Sequence, residues 1–297
     1  VKNHLVFPSG GVDIDAWHFP AADNRLAGPT GRPVVVMAHG FAGTKDSGLE
    51  PFARSLAVAG LDVIAFDYRG FGASAGQPRQ VISLPGQVQD YRAALRRASL
   101  LPEVDPQRMV LWGVSMAGGT ILEVAAGRSD IVALVSLTPL VAARPDHRVP
   151  RLAKLLAQGL RDKAAGALGR PRIMVPAVGR PGSAALLDVS GTFDAYRSIA
   201  GPTWHNEVSA SIAVEASWYR PDRWAAQVRC PTLFQIADFD RCVSVDAAIK
   251  TAVRARAQVR HYPCDHFDVY PGRPWHESVL THQVRFLTRA LTTDSGP

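Results

Sequence analysis

The sequence predicts an α/β protein with a mostly parallel central sheet and helices on both faces. Two observations carry most of that prediction. Uninterrupted apolar runs of strand length recur through the first 137 positions, and such runs mark strands buried on both faces. Between them lie stretches with apolar residues at helical spacing, and this alternation implies parallel strands joined by crossover helices. A third observation sets the domain plan. The alternation stops from about Pro139 to Pro221, where the text is irregular and rich in proline, glycine and arginine, and then resumes. The expected division is a core over 1–138, a helical lid or cap insertion over 139–225, and the rest of the core over 226–297.

Taken in order, Leu5 to Phe7 and Val12 to His18 read as a half-buried hairpin turned at Ser9-Gly10-Gly11. Pro33 to Ala38 is a buried strand ending in His39-Gly40-Phe41, and a helix is expected over Leu49 to Ala59. Lys45-Asp46 is expected to start or cap that helix. Leu61 to Phe66 is the next strand, and it runs into the glycine-punctuated loop from Asp67 to Ser74. Leu84 to Ala98 carries Val88, Tyr91 and Leu95 on one helical face. Val110 to Val114 and Ile131 to Leu137 are strands with a helix between them. In the insertion, Leu152, Leu155, Leu156 and Leu160 give Val149 to Leu168 a helical face, expected to pack on the core. Trp204, Trp218, Tyr219 and Trp224 are read as packing residues, with one or two on a substrate pocket as the alternative. The closing strands are Pro231 to Ala237 and Val259 to Tyr262. The helices are Val245 to Arg254 and Val279 to Leu291, with a frayed tail after them.

Composition narrows the function classes. The chain has 297 residues, enough for a sizeable core, with 47% hydrophobic and 20% charged residues, which is globular rather than disordered. Lys and Arg number 33 against 26 Asp and Glu, giving +7. No basic block alternates with aromatics, so a nucleic-acid surface is not expected. Arg144, Arg148, Arg151, Arg161, Arg170 and Arg172 leave open an anionic ligand or membrane surface, beside the plainer reading of a basic solvated face. Cys230, Cys242 and Cys264 have no framework spacing and no CxxC pair, which points to a reducing compartment, and a cytoplasmic location is expected. No charged-then-apolar leader opens the chain, and no apolar run has the length of a membrane span.

The stretch that carries chemistry is Gly113-Val114-Ser115-Met116-Ala117, placed where a strand turns sharply into a helix. This is the layout of a nucleophile elbow, whose strained turn needs small residues two positions either side of the serine. Ala117 stands where the usual pattern has glycine. A serine hydroxyl needs a base, and the base needs a carboxylate to fix its tautomer. In an open α/β sheet both fall at the carboxyl ends of later strands. Asp240 follows the strand ending at Ala237, and His266 follows the strand ending at Tyr262. Asp238 stays open as the alternative acid, with a turn cap as its plainer role. Asp265 and Asp268 are too near His266 in sequence to orient its ring, and His261 is read as structural. His39 is read as a brace for its loop. Cys242 and Cys264 are read as small turn residues, with a redox-sensitive contact as the alternative.

On these residues the chain resembles the α/β-hydrolase superfamily, and within it the bacterial serine esterase-like enzymes. His39-Gly40-Phe41 looks like the oxyanion segment. Asp67 to Ser74 looks like the D-x-R-G-x-G-x-S loop, and Ala237 to Val243 looks like the acid turn that selects Asp240. Cys264-Asp265-His266 stands where Gly-x-His is usual. The resemblance implies a serine hydrolase with the triad Ser115, Asp240 and His266 and oxyanion donors on the N–H groups of Phe41 and Met116. It implies a small-molecule acyl substrate, with no cofactor, metal, nucleic-acid or membrane partner, and allows a homodimer. Carboxylic esters of small or medium size are the leading substrates. C–C bonds, thioesters, lactones, peptides, acyl transfer and a non-catalytic ligand-binding homologue remain alternatives.

Overall fold

The computed structural model describes residues 2–142 and 149–292; Arg144, Arg148 and the tail beyond Thr292 lie outside the described residues. The first half of the chain alternates as expected. Strands β1 (Asn3–Ser9), β2 (Val12–Phe19) and β3 (Arg32–Ala38) lead into helix α1 (Leu49–Val58). Then follow β4 (Asp62–Phe66), α2 (Leu84–Ala98), β5 (Val104–Val114), α3 (Met116–Ala125) and β6 (Ile131–Leu137). The stretch after β6 forms α4 (Val149–Ala167), β7 (Met174–Val175), α5 (Thr192–Ile199), β8 (Val208–Ser209), α6 (Ile212–Ala216) and a 3₁₀ turn over Pro221–Gln227. The chain closes with β9 (Thr232–Ala237), α7 (Val245–Arg254), β10 (Gln258–Tyr262) and α8 (His276–Thr292).

Among the described residues the main sheet has eight strands in the order β1-β2-β4-β3-β5-β6-β9-β10. The hairpin strands pair antiparallel and the six from β4 to β10 pair parallel. Every residue of β4 and β9 is buried, as befits strands covered on both faces. Helices α1 and α8 cover one face around Phe52, Trp112 and Leu287. Helices α2, α3 and α7 cover the other around Tyr91, Ile121 and Ala252. Local signals set the helix starts. Ser83 caps α2 by accepting from the Gly86 N–H at 3.2 Å, and Ser244 caps α7 by accepting from Ala247 at 3.3 Å. β5 begins earlier than its apolar run, because Val104 already pairs with Arg32 across a register shift.

Two sequence expectations are corrected. Lys45 does not start α1, whose N-cap is Gly48. It is buried, with its Nζ 2.6 Å from both Asp15 and Asp67, and its own N–H donates to Asp67 at 2.6 Å. Burial opposes the ammonium, but the two carboxylates outweigh it and hold the Lys45 pKa above its ordinary value. The loop after β4 wraps this knot closely. A Cβ on Gly72, where φ is 50°, would fall 2.2 Å from the Asp67 carboxylate.

The leucine face of α4 does not pack on the sheet either. Leu160 is exposed, and Leu152 and Leu155 line a cavity described below. The helix is held instead through buried Asp162, which receives Arg172 at 2.9 and 2.8 Å and the N–H groups of Ile173 and Ser211 at 2.7 and 2.9 Å. These contacts depress the Asp162 pKa against the opposing effect of burial. No described helix is long and apolar enough to cross a membrane.

The knot gives a stability prediction. Lys45→Met leaves Asp67 buried without its cation and should cost about 3–5 kcal/mol in urea unfolding. A loss below about 1 kcal/mol would show that the pair behaves like an exposed one.

Candidate active site

The elbow forms where β5 passes into α3. Ser115 has φ 56° and ψ −119° and directly precedes the helix, a backbone conformation that costs an L-residue energy and clusters at functional sites. Its neighbours explain how the turn is possible. A Cβ on Gly113 would lie 2.5 Å from the Ala117 carbonyl group, so the helix passes over the strand with no room for a side chain at 113. The methyl of Ala117 is accommodated and buried, and the departure from glycine leaves the close approach intact. Gly119 is thin for a different reason: a Cβ there would meet the Leu140 carbonyl at 2.1 Å and the Tyr219 hydroxyl at 2.6 Å. The turn is pinned by the Ser115 N–H donating to Leu137 at 2.8 Å and the Ser115 carbonyl accepting from Leu140 at 2.9 Å.

The two later loops bring Asp240 and His266 together. The His266 Nδ1 lies 2.7 Å from the Asp240 Oδ2, and both side chains are almost fully buried. The other Asp240 oxygen accepts from the N–H groups of Cys242 and Val243 at 2.8 and 2.9 Å, which fixes the carboxylate in its turn. Burial pushes the His266 pKa down, but the charge and hydrogen bond of Asp240, with Asp265 behind them, leave it above its ordinary value. Asp238 is engaged elsewhere, 2.6 Å from the His261 Nδ1 at the surface. Asp265 does not hydrogen-bond the His266 ring. It clamps the two loops instead, accepting from the His266 N–H at 2.8 Å and from the Arg241 N–H and Nε at 3.0 and 2.8 Å. Burial raises the Asp265 pKa, and these donors, led by Arg241, lower it further than burial raises it.

The loop after β3 lies against the elbow. A Cβ on Gly40 would fall 2.9 Å from the Ser115 Cβ, so the backbone at Gly40-Phe41 runs beside the serine. His39 is buried under this loop, with its Nδ1 3.0 Å from the Gly40 carbonyl and its ring edge-to-face with Tyr68. Burial pushes its pKa down and keeps it neutral at neutral pH, so Nδ1 carries the proton donated to Gly40. This agrees with a bracing role. The insertion supplies further braces. The Tyr196 hydroxyl donates to the Phe41 carbonyl at 2.6 Å, and the Trp204 Nε1 donates to Ala42 at 3.1 Å. The Tyr219 hydroxyl donates to the Met116 carbonyl at 2.7 Å. Met116 opens α3, and the first N–H groups of a helix have no partner within it.

A cavity of about 850 Å³ joins these parts. Ser115, His266, Phe41 and Met116 line it, together with Leu84, Leu140, Leu152, Leu155, Leu186 and Ile212. Its one carboxylate among the described lining residues, Asp188, is 3.1 Å from Arg151. Of the four aromatics singled out in the insertion, Tyr219 lines the cavity, Trp218 is exposed and Trp204 stacks on Tyr196. Tyr196, Arg241 and Tyr270 line it too, although the sequence reading gave none of them a place in a pocket. Cys242 lines it beside His266, whereas Cys264 is buried. Burial pushes each thiol up to about 12. Asp240, Cys242 and His266 have ligand atoms within 4.8 Å of one another.

Comparison with known proteins agrees with this architecture. The family model described as serine aminopeptidase, S33, matches residues 29–277. The quorum-quenching protein AidA of Acinetobacter baumannii is 32% identical over 266 residues, covering 87% of each chain. Thiohydrolase aneE of Aspergillus aculeatus is 33% identical over 138 residues, 46% of this chain and 43% of that one. Among solved structures, the α/β hydrolase GrgF from Penicillium sp. sh18 superposes with a TM-score of 0.84 at 21% identity, covering 98% of this chain and 99% of that one. An enol-lactonase from Burkholderia xenovorans superposes at 0.66 with 17% identity, covering 96% and 100%, and at such identities the likeness is one of fold. The extent of the family match and the likeness to AidA along most of both chains place this protein in the serine aminopeptidase S33 family of α/β hydrolases.

Proposed function

We propose that this protein is a serine hydrolase that cleaves carboxylic esters of medium-sized apolar acyl groups. The observation that carries the reading is the buried Asp240–His266 pair opening onto the same cavity as a serine held at φ 56°. Ser115 is the nucleophile, His266 the base that takes its proton, and Asp240 the acid that holds Nδ1 protonated so that Nε2 stays free to accept. Attack on the ester carbonyl gives a tetrahedral intermediate whose oxyanion meets the N–H groups of Phe41 and Met116. Each such donor contributes about 3 kcal/mol in transition states of this type. The leaving alcohol takes the proton from His266. Water, activated by the same imidazole, then releases the acid and restores the serine.

The cavity supports the choice of acyl substrate. Its lining is leucine-rich, and its volume lies toward the upper end of the range for ligand pockets. A peptide amino terminus would call for an available carboxylate, and Asp188 is paired with Arg151. Residues 139–225 act as the lid in this reading. A second reading, cleavage or transfer of a thioester, is favoured by the names of relatives, which include thiohydrolases and polyketide transferases. The three free thiols support a cytoplasmic setting.

A panel of p-nitrophenyl esters, thioesters, lactones and aminoacyl amides tests the reaction class. Esters of medium chain length should turn over fastest, and Ser115→Ala should lose about 10⁴-fold or more. Equal turnover by the two proteins would remove Ser115 from the mechanism, and activity confined to amides would replace esterase by peptidase. Asp240→Asn should fall by about 10⁴-fold, and Asp238→Asn should stay near wild type. The reverse order would transfer the acid's role.

The His266 titration, followed by NMR of the imidazole, tests the electrostatics separately. In wild type it should lie above the ordinary value of about 6.5, and activity should rise with pH through it, because only the neutral ring accepts a proton. In Asp240→Asn the carboxylate charge is gone while burial remains, so the titration should move below the ordinary value. An unchanged titration would show that Asp240 does not set it.

A further inference from the structure

We propose that Cys242, with His266 and Asp240, forms an inhibitory site for a thiophilic divalent cation such as Zn²⁺ or Cd²⁺. The inhibitory part rests on the reading of His266 as the base. The site has three donors of different kinds, a sulfur, an imidazole nitrogen and a carboxylate oxygen, all within 4.8 Å of one another. Three protein ligands with one position left over is the pattern of an open zinc site. The His266 Nδ1 and Asp240 Oδ2 already stand 2.7 Å apart. Two donors at roughly 2.0–2.2 Å from one tetrahedral zinc ion stand roughly 3.3–3.6 Å apart, so the pair has to open by about 0.7 Å to admit the ion. The sulfur is supported as well: buried Thr192 has its Oγ1 3.6 Å from the Cys242 Sγ and can donate to a bound thiolate. The cavity gives the ion its way in, because Cys242 and His266 both line it.

Binding has a definite consequence for the proton count. Zinc–sulfur, zinc–nitrogen and zinc–oxygen bonds form. The S–H bond of Cys242 breaks and its proton leaves to solvent. The N–H bond at Nδ1 of neutral His266 breaks, and a proton returns to the ring at Nε2. One proton is released in total. The ring now carries its hydrogen on Nε2, the atom that would accept from Ser115, and can no longer act as a base. The ion thus inhibits by enforcing the wrong tautomer, before any question of blocking the substrate.

The test uses two readouts. In the first, Co²⁺ is titrated into the intact protein and the thiolate-to-cobalt absorption is recorded. Wild type, Ser115→Ala and Cys264→Ala should show it, and Cys242→Ala and Cys242→Ser should not. Thermal unfolding confirms that each variant is folded. In the second, Zn²⁺ inhibition of ester hydrolysis is measured relative to each variant's own metal-free rate and reversed with a chelator. Cys242→Ala should need about tenfold more Zn²⁺ or beyond for half-inhibition, since losing even an outer-shell partner weakens a metal site by that order. No cobalt–thiolate band in wild type, or equal zinc sensitivity in Cys242→Ala, overturns the site. A Cys242-dependent band without inhibition keeps the binding site and overturns its inhibitory role, and that result counts against His266 as the base.

Discussion

The turn at Ser115 is the constraint on which the rest of the site depends. A serine held at φ 56° stands clear of both strand and helix, and holding it there requires three backbones to pass within contact distance. β5 meets the start of α3 at Gly113, the loop after β3 meets the serine at Gly40, and the chain leaving β6 meets α3 at Gly119. Each is a glycine because a Cβ would collide with backbone or, at Gly40, with the serine itself. The same crowding performs a service. It brings the start of α3 and the loop at Gly40-Phe41 beside the serine, and in the proposed mechanism the N–H groups there serve as preorganised donors, which are worth far more than in water.

Two buried ionic clusters flank this turn, and they differ in kind. Behind the first loop, one lysine is shared by two carboxylates, with Asp67 further held by backbone N–H groups. Its hydrogen bonds and ion pairs tie β2, the loop after β3 and the loop after β4 together, so the cluster fixes geometry. In front, Asp240 faces a histidine whose charge is free to change in the working range. Its carboxylate is held by the backbone of its own turn and its partner's loop by Asp265. In the proposed mechanism, proton transfer at His266 therefore needs no movement of the loops that hold it.

The sheet, its helices and the positions of Ser115, Asp240 and His266 were legible in the sequence because each rests on a local signal. Buried strands write themselves as apolar runs, helices as spaced ones, and residues at the carboxyl ends of strands follow from the pattern. Lys45 was misread because its partners, Asp15 and Asp67, lie far away in sequence and nothing near it announces burial. The braces at Tyr196 and Tyr219 were illegible for a related reason. Each donates to a backbone carbonyl more than a hundred residues away, and a carbonyl has no identity in the sequence. The leucines of α4 had the right spacing and the wrong destination, since periodicity identifies an apolar face without saying whether it meets a sheet or a cavity.

In the proposed reaction the insertion between β6 and β9 would couple substrate choice to catalytic geometry. Its leucines line the cavity, while Tyr196 and Trp204 hold the carbonyls of Phe41 and Ala42, and Tyr219 holds that of Met116. In the proposed mechanism the first and last of these residues carry the N–H groups that meet the oxyanion. A substrate that displaced α5, which carries Tyr196, would therefore also displace the backbone at Phe41. Selectivity among acyl chains would then register in the rate of the chemical step as well as in binding, because binding energy gained remotely is used to position the reacting centre.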